Sequence, residues 1–83
     1  MRTSRLAAKT PALPALGEVI RALRREQGMS QGDLGERAGI HPTWISHIES
    51  GKVNPTFANL TRLSEGLGVR LSELIARIEE QQR

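Results

Sequence analysis

The apolar positions of this chain fall into five short helical stripes separated by glycine and proline. Leu16, Val19, Ile20 and Leu23 recur at i, i+3, i+4 and i+7, which predicts a first helix over about residues 16–27, with Gly28 as its stop. Leu34 and Ala38 mark the inward face of a second helix. Ser30 is its N-cap, and Asp33 occupies the third helical position, where a carboxylate reaches back to the cap. Gly39 interrupts that pattern. A third helix begins near Pro42, whose fixed φ suits a first turn, and ends before Gly51, with Ile45 facing inward and Ile48 beside it. The segment GKVNPT is a loop: Asn54-Pro55 is a turn signal and Thr56 caps the next helix. This fourth helix runs to about Leu67 with Phe57, Leu60, Leu63 and Leu67 inward, closed by Gly66 and Gly68. Ser72 is the expected cap of a fifth helix, which carries Leu74, Ile75 and Ile78 and frays after Glu80. Gly32 and Gly35 are poor helix residues. Gly35 suits a close crossing of two helices, nothing in the pattern explains Gly32, and the second helix therefore leans on tertiary packing.

Two brief helices joined by a tight glycine turn, residues 31–50, suggest a helix-turn-helix, which places its second helix in the major groove of DNA. Projected at about 100° per residue with Ile45 inward, His41 and Ile48 flank Ile45, while Thr43, Ser46, His47 and Ser50 fall opposite and Trp44 lies at the edge. Such a face is small, polar and hydrogen-bonding, as reading base edges requires. An ordinary solvated helix face would carry more lysine and glutamate. Glu49 projects about 40° from Ile45, toward the interior. A buried carboxylate needs a partner. Arg24 falls on the flank of the first helix's apolar stripe, next to Ile20, so the two are expected to pair, within reach of a bidentate geometry. Arg21 and Arg25 lie on the outer face of the same helix.

Eighty-three residues make one domain with a modest core. The absence of cysteine excludes a disulfide staple, a thiolate zinc site and a cysteine nucleophile, and fits a reducing cytoplasm. The formal charge of +3 sits in the first 17 residues, which carry Arg2, Arg5 and Lys9 and no acid; the remainder balances nine basic against nine acidic groups. Residues 1–14 therefore read as a flexible basic arm, either a solvated tail or a segment touching phosphate or a minor groove, residues 15–80 as the domain, and residues 81–83 as a frayed end. No stretch is apolar and long enough for a membrane helix. Lys9, Pro11 and Pro14 interrupt any secretory core, and the prolines spoil the amphipathic helix of a transit peptide.

From Leu16 to Glu80 the chain resembles the lambda-repressor-like, Cro/repressor-type (XRE) helix-turn-helix family. The text that carries the resemblance is LGEVIRALRREQGMSQGDLGERAGI, then TWISHIESGKVNPTFANLTRLSEGLGV, then LSELI, about four-fifths of the chain. The resemblance implies an all-α, compact five-helix DNA-binding domain with the motif in helices 2 and 3. It implies that Gln31 contacts the DNA backbone or braces the recognition helix, that His41, Thr43, Trp44, Ser46 and His47 face the groove, and that Lys52 and Asn54 lie in the loop following the backbone. Arg24 and Glu49 match a recurrent ion pair of the family. Gly32 stands where glutamate is usual, Gly35 where alanine is commoner, and Ser50 where a basic residue is frequent, which removes one phosphate contact.

The expected function is a sequence-specific, DNA-binding transcriptional regulator of repressor or controller type, cytoplasmic and associated with the nucleoid, binding double-stranded operator DNA as a homodimer. Thr43, Ser46 and His47 are the expected base readers, and Trp44 packs against sugar or a thymine methyl, or into the core. Electrostatic attraction must come from outside the motif: from Lys52, the first-helix arginines or the arm. The fifth helix and the apolar residues it leaves exposed form the expected dimer surface. No cofactor, metal or membrane is expected; a toxin or RNA polymerase is the protein partner to look for. The second reading is the antitoxin of a toxin–antitoxin pair, with residues 1–14 masking the toxin. An enzyme is excluded on motif grounds. His41 and His47 are about 240° apart around a helix, unlike metal ligands, and there is no nucleophile elbow or phosphate-binding glycine loop.

Overall fold

Five α-helices follow one another in the computed structural model, which describes residues 12–83: α1 (Ala12–Glu26), α2 (Gln31–Ala38), α3 (Pro42–Glu49), α4 (Phe57–Leu67) and α5 (Leu71–Gln81). What was expected of residues 1–11, the basic arm and its contacts, lies outside the described residues. The number and order of helices agree with the five-stripe pattern. α1 starts about four residues earlier than the apolar stripe suggests, so residues 12–14 of the expected arm are helical. Pro14 falls in the first turn, where its missing N–H has no intrahelical partner to lose.

The stripes converge on one core, in which Ile20, Leu34, Ile45, Ile48, Leu63, Leu67 and Leu74 are fully buried and Val53, Leu60, Val69 and Leu71 pack around them. Met29 joins this core although it belongs to no stripe. After Gly28 turns in the left-handed region, the Met29 N–H donates to the Arg24 carbonyl at 3.1 Å, which swings the side chain inward. The Gln27 amide then donates to the Leu67 carbonyl at 2.6 Å and ties the end of α1 to the end of α4.

Three expectations are corrected. Phe57 is 73% exposed rather than inward. It is in angular line with the buried Ser64 but two turns before it, at the open end of α4 that the core cluster does not reach. Gly66 does not close α4. It lies inside the helix, packed on Leu34 and Ala38, and Gly68 is the left-handed cap. The N-cap of α5 is Arg70, without a side-chain cap bond, and Ser72 is an exposed residue of the first turn. The reason lies in the preceding cap. The Val69 N–H donates to the Ser64 carbonyl at 3.0 Å and Val69 turns toward the core, so only Arg70 is left before the chain re-enters a helix. Leu74 and Ile78 are buried, while Ile75 is left exposed.

Close approach explains one of the two odd glycines of α2. A Cβ on Gly35 would run into the carbonyl oxygen of Ile40, just beyond the elbow. A Cβ on Gly32 would meet only the Ser30 hydroxyl at an ordinary 3.6 Å, and nothing in the structure explains that glycine. Gly35→Ala is therefore expected to destabilise the fold by about 1–3 kcal/mol through overpacking. Gly32→Ala should stabilise it by up to about 1 kcal/mol through helix propensity. Urea unfolding of the two variants checks the opposite signs.

Candidate nucleic-acid interface

The elbow is built from backbone caps. The Asp33 N–H donates to Ser30 Oγ and the Ser30 N–H donates to Asp33 Oδ2, both at 2.9 Å, a reciprocal capping box that starts α2. The hydrogen bond from the Ser30 backbone, then that from its hydroxyl, hold the Asp33 carboxyl below the usual carboxylate range. A lowered value favours folding above that range, and the cap's contribution is lost as pH falls through it. α2 ends where Gly39 takes φ 71°, and the Ile40 N–H returns to the Gly35 carbonyl at 2.9 Å. His41 then caps α3: its Nδ1 accepts the Thr43 N–H at 3.1 Å, and Pro42 fills the first helical position.

This arrangement turns α3 so that Ile45 and Ile48 enter the core and the opposite side stays open. Thr43 is exposed, Ser46 and His47 are half-buried, and Trp44 is 43% exposed, with its ring edge-on to His47 at a centroid distance of 6.0 Å. Ser50 forms the C-cap, its hydroxyl donating to the His47 carbonyl at 3.1 Å. The Lys52 N–H donates to the same carbonyl at 2.9 Å, which folds the following loop back on α3 and leaves the Lys52 and Asn54 side chains exposed.

The end of α3 is anchored by Glu49. Its Oε2 accepts Arg24 Nε at 2.6 Å and its Oε1 accepts Arg24 Nη2 at 3.0 Å, a bidentate pair. Gln31 donates to Oε1 at 3.1 Å, and the remaining Arg24 nitrogen, Nη1, donates to the Met29 carbonyl at 2.8 Å. The two side chains are only 10% and 4% exposed. The hydrogen bond to Glu49 raises the Arg24 pKa against the opposing effect of burial. A raised value keeps the contribution in place at every pH below arginine's ordinary one, so the tie persists through the neutral range. Gln31 thus sits against α3, its amide engaged inside the domain.

Thr43, Trp44, Ser46 and His47 therefore lie on α3 with His41 at its N-cap, and Lys52 and Asn54 on the loop that leaves it. Two features escaped the sequence pattern. His41 serves as a cap, which its place before a proline at the first helical position could have signalled. Arg21 lines a small polar cleft with Gln31, Ser46, Glu49 and Ser50. The sequence pattern placed Arg21 and Arg25 alike on the outer face of α1 and held no signal that set Arg21 apart.

Comparison with known proteins agrees with the fold. The helix-turn-helix family pattern matches residues 20–74. Control protein C.MunI from a Mycoplasma species is 38% identical over 66 residues, covering 78% of this chain and 89% of that protein. The restriction–modification controller protein C.Esp1396I superposes with a TM-score of 0.80 at 29% identity over 88% of this chain and 94% of its own. C.AhdI from Aeromonas hydrophila, another such controller, gives 0.73 at 29% identity over 75% and 94%. The chain belongs to the helix-turn-helix family, of the Cro/repressor (XRE) type, and is a DNA-binding transcriptional regulator. Among the described residues, no helix is long and apolar enough to cross a membrane.

Glu49→Ala leaves the Arg24 cation buried without its carboxylate, and is expected to destabilise the protein by about 3–5 kcal/mol. A thermal midpoint equal to that of the parent would show that the pair does not anchor α3.

Proposed function

We propose that this regulator binds operator DNA as a homodimer, each protomer laying α3 in a major groove and acting as a repressor or controller of transcription in the cytoplasm. The observation that supports this most directly is the outer side of α3. Ile45, Ile48 and the paired Glu49 hold the helix to the domain, so Thr43, Ser46 and His47 are left to other partners. Their hydroxyls and imidazole are short donors and acceptors suited to base edges. Trp44 and His41 flank them, with the Trp44 ring against sugar or a thymine methyl. Lys52 and Asn54 meet the phosphates of the strand that borders the groove, and Gln31 sits at the same rim. The binding is passive, without catalysis or cofactor. Phosphate contacts set register and base contacts set preference.

One helix reads only a few base pairs, so a second copy is needed for a specific site. α5 offers the surface for it, since Ile75 is exposed beside the buried Leu74 and Ile78. A two-fold dimer binds half-sites about 34 Å apart. The controller proteins among the relatives support a regulatory role of the same kind. RNA polymerase is then a second partner if the protein activates.

Selection of bound sites from randomised duplex DNA is expected to return a two-fold symmetric motif, whereas a pool without enrichment would refute sequence-specific binding. Thr43→Ala and His47→Ala should each relax preference at one or two base pairs, by about 1–3 kcal/mol of discrimination, with an unchanged thermal midpoint. Lys52→Ala should weaken all sequences alike and reduce the slope of log K against log salt by about 0.9; a sequence-dependent loss would assign Lys52 to base reading instead.

A further inference from the structure

We propose that Arg21 seats a DNA backbone phosphate in the cleft between α1 and α3, a contact that rests on the major-groove reading above. The side of α1 that faces α3 is written at i, i+4 and i+7. Gly17 lies against the Ile48 and Glu49 carbonyls, so closely that a Cβ there would come within 2.6 Å of the first. Arg24 holds the Glu49 carboxylate. Arg21 stands between them, exposed, at the mouth of the cleft it shares with Gln31, Ser46, Glu49 and Ser50.

The charges in this cleft are already sorted. Both oxygens of Glu49 are occupied, one by Arg24 and the other by Arg24 and Gln31. Among the described residues Arg21 forms no ion pair. The Glu49–Arg24 pair cancels, which leaves the Arg21 guanidinium as the net charge of the site. Ser50 gives its proton to the His47 carbonyl. The donors left over are the guanidinium fork, the Ser46 hydroxyl and the second N–H of the Gln31 amide, a set that fits a tetrahedral oxyanion.

DNA is the source of that oxyanion because Ser46 belongs to two surfaces. It is part of the outer side of α3 and also a wall of the cleft. A groove edge that passes Ser46 carries its phosphates past Arg21. The contact also answers a deficit, since α3 itself holds no lysine or arginine. Of the three arginines of α1, Arg24 is consumed internally and Arg21 is the one that lines the cleft.

The test is the salt dependence of binding, measured by fluorescence anisotropy on the selected duplex for the full chain and its Arg21→Gln, Arg21→Lys and Arg83→Gln variants. Arg83 is exposed at the end of the chain and pairs with Glu80, so its loss changes net charge by the same amount away from α3. Arg21→Gln should lower the slope of log K against log salt by about 0.9 and weaken binding about five-fold near 0.15 M salt. The selected motif and the thermal midpoint should not change. Arg21→Lys, which keeps the charge, and Arg83→Gln should retain the parental slope. A parental slope in Arg21→Gln overturns the proposal while leaving the DNA reading intact. An equal loss in Arg83→Gln overturns it by assigning the effect to net charge, and an altered motif overturns it in favour of a base contact. A parent chain that binds no DNA overturns both.

Discussion

The bidentate pair of Arg24 and Glu49 is the constraint on which the rest of this molecule depends. Three chain segments meet there: the last turn of α1, the entry to α2 through Gln31, and the end of α3. The pair is nearly dry, so its attraction is not diluted by water as a surface pair's would be, and removing either partner exposes the full desolvation cost of the other. The remaining Arg24 nitrogen goes to the Met29 carbonyl, which fixes the turn that leads into the capping box of Ser30 and Asp33. One guanidinium therefore sets the exit of α1, the start of α2 and the tilt of α3. An eight-residue helix of low charge has little stability of its own. Its direction is imposed from below.

The division between core and open surface follows from that anchor. Ile45, Ile48 and Glu49 take the inward positions of α3, and Ser46 and His47 between them stay half-exposed. The elbow supplies the other half of the geometry. Gly35 allows the carbonyl of Ile40 to come into contact with α2, and Gly39 reverses the chain in a conformation that side chains resist. α2 and α3 can then meet as a rigid pair that presents one helix outward.

Much of this was legible in the residues because it depends on local periodicity. The four apolar positions of α1, the capping box of α2, the glycine elbow and the inward turn of Glu49 all follow from spacing along a helix. The same reasoning placed Phe57 inward. Periodicity gives an angle but not a depth, and the first turn of α4 extends beyond the core. Ser72 was a good cap by composition. The Schellman-type bond from Val69 to Ser64 decided otherwise, and that bond depends on where Gly68 leaves the chain. Met29 and the amide of Gln27 were invisible for a related reason: both are positioned by a turn rather than by a stripe. At the candidate interface, the outward residues of α3 could be read from their angle. Arg21 could not be told apart from Arg25 until the crossing of α1 over α3 was seen.

His41 carries a consequence for how such a protein can change its target over evolutionary time. The imidazole stands at the edge of the open surface and also closes the first turn of α3 by accepting the Thr43 N–H. Ser50 closes the other end through its hydroxyl. A substitution at either end alters helix integrity and surface chemistry together, so these positions are poor places to explore new specificities. Thr43 and Ser46 carry no such double duty through their side chains, and His47 contributes only an edge-on ring contact with Trp44. On the proposed reading, retargeting is thus channelled into Thr43, Ser46 and His47, whose side chains can be exchanged without disturbing the frame that holds them.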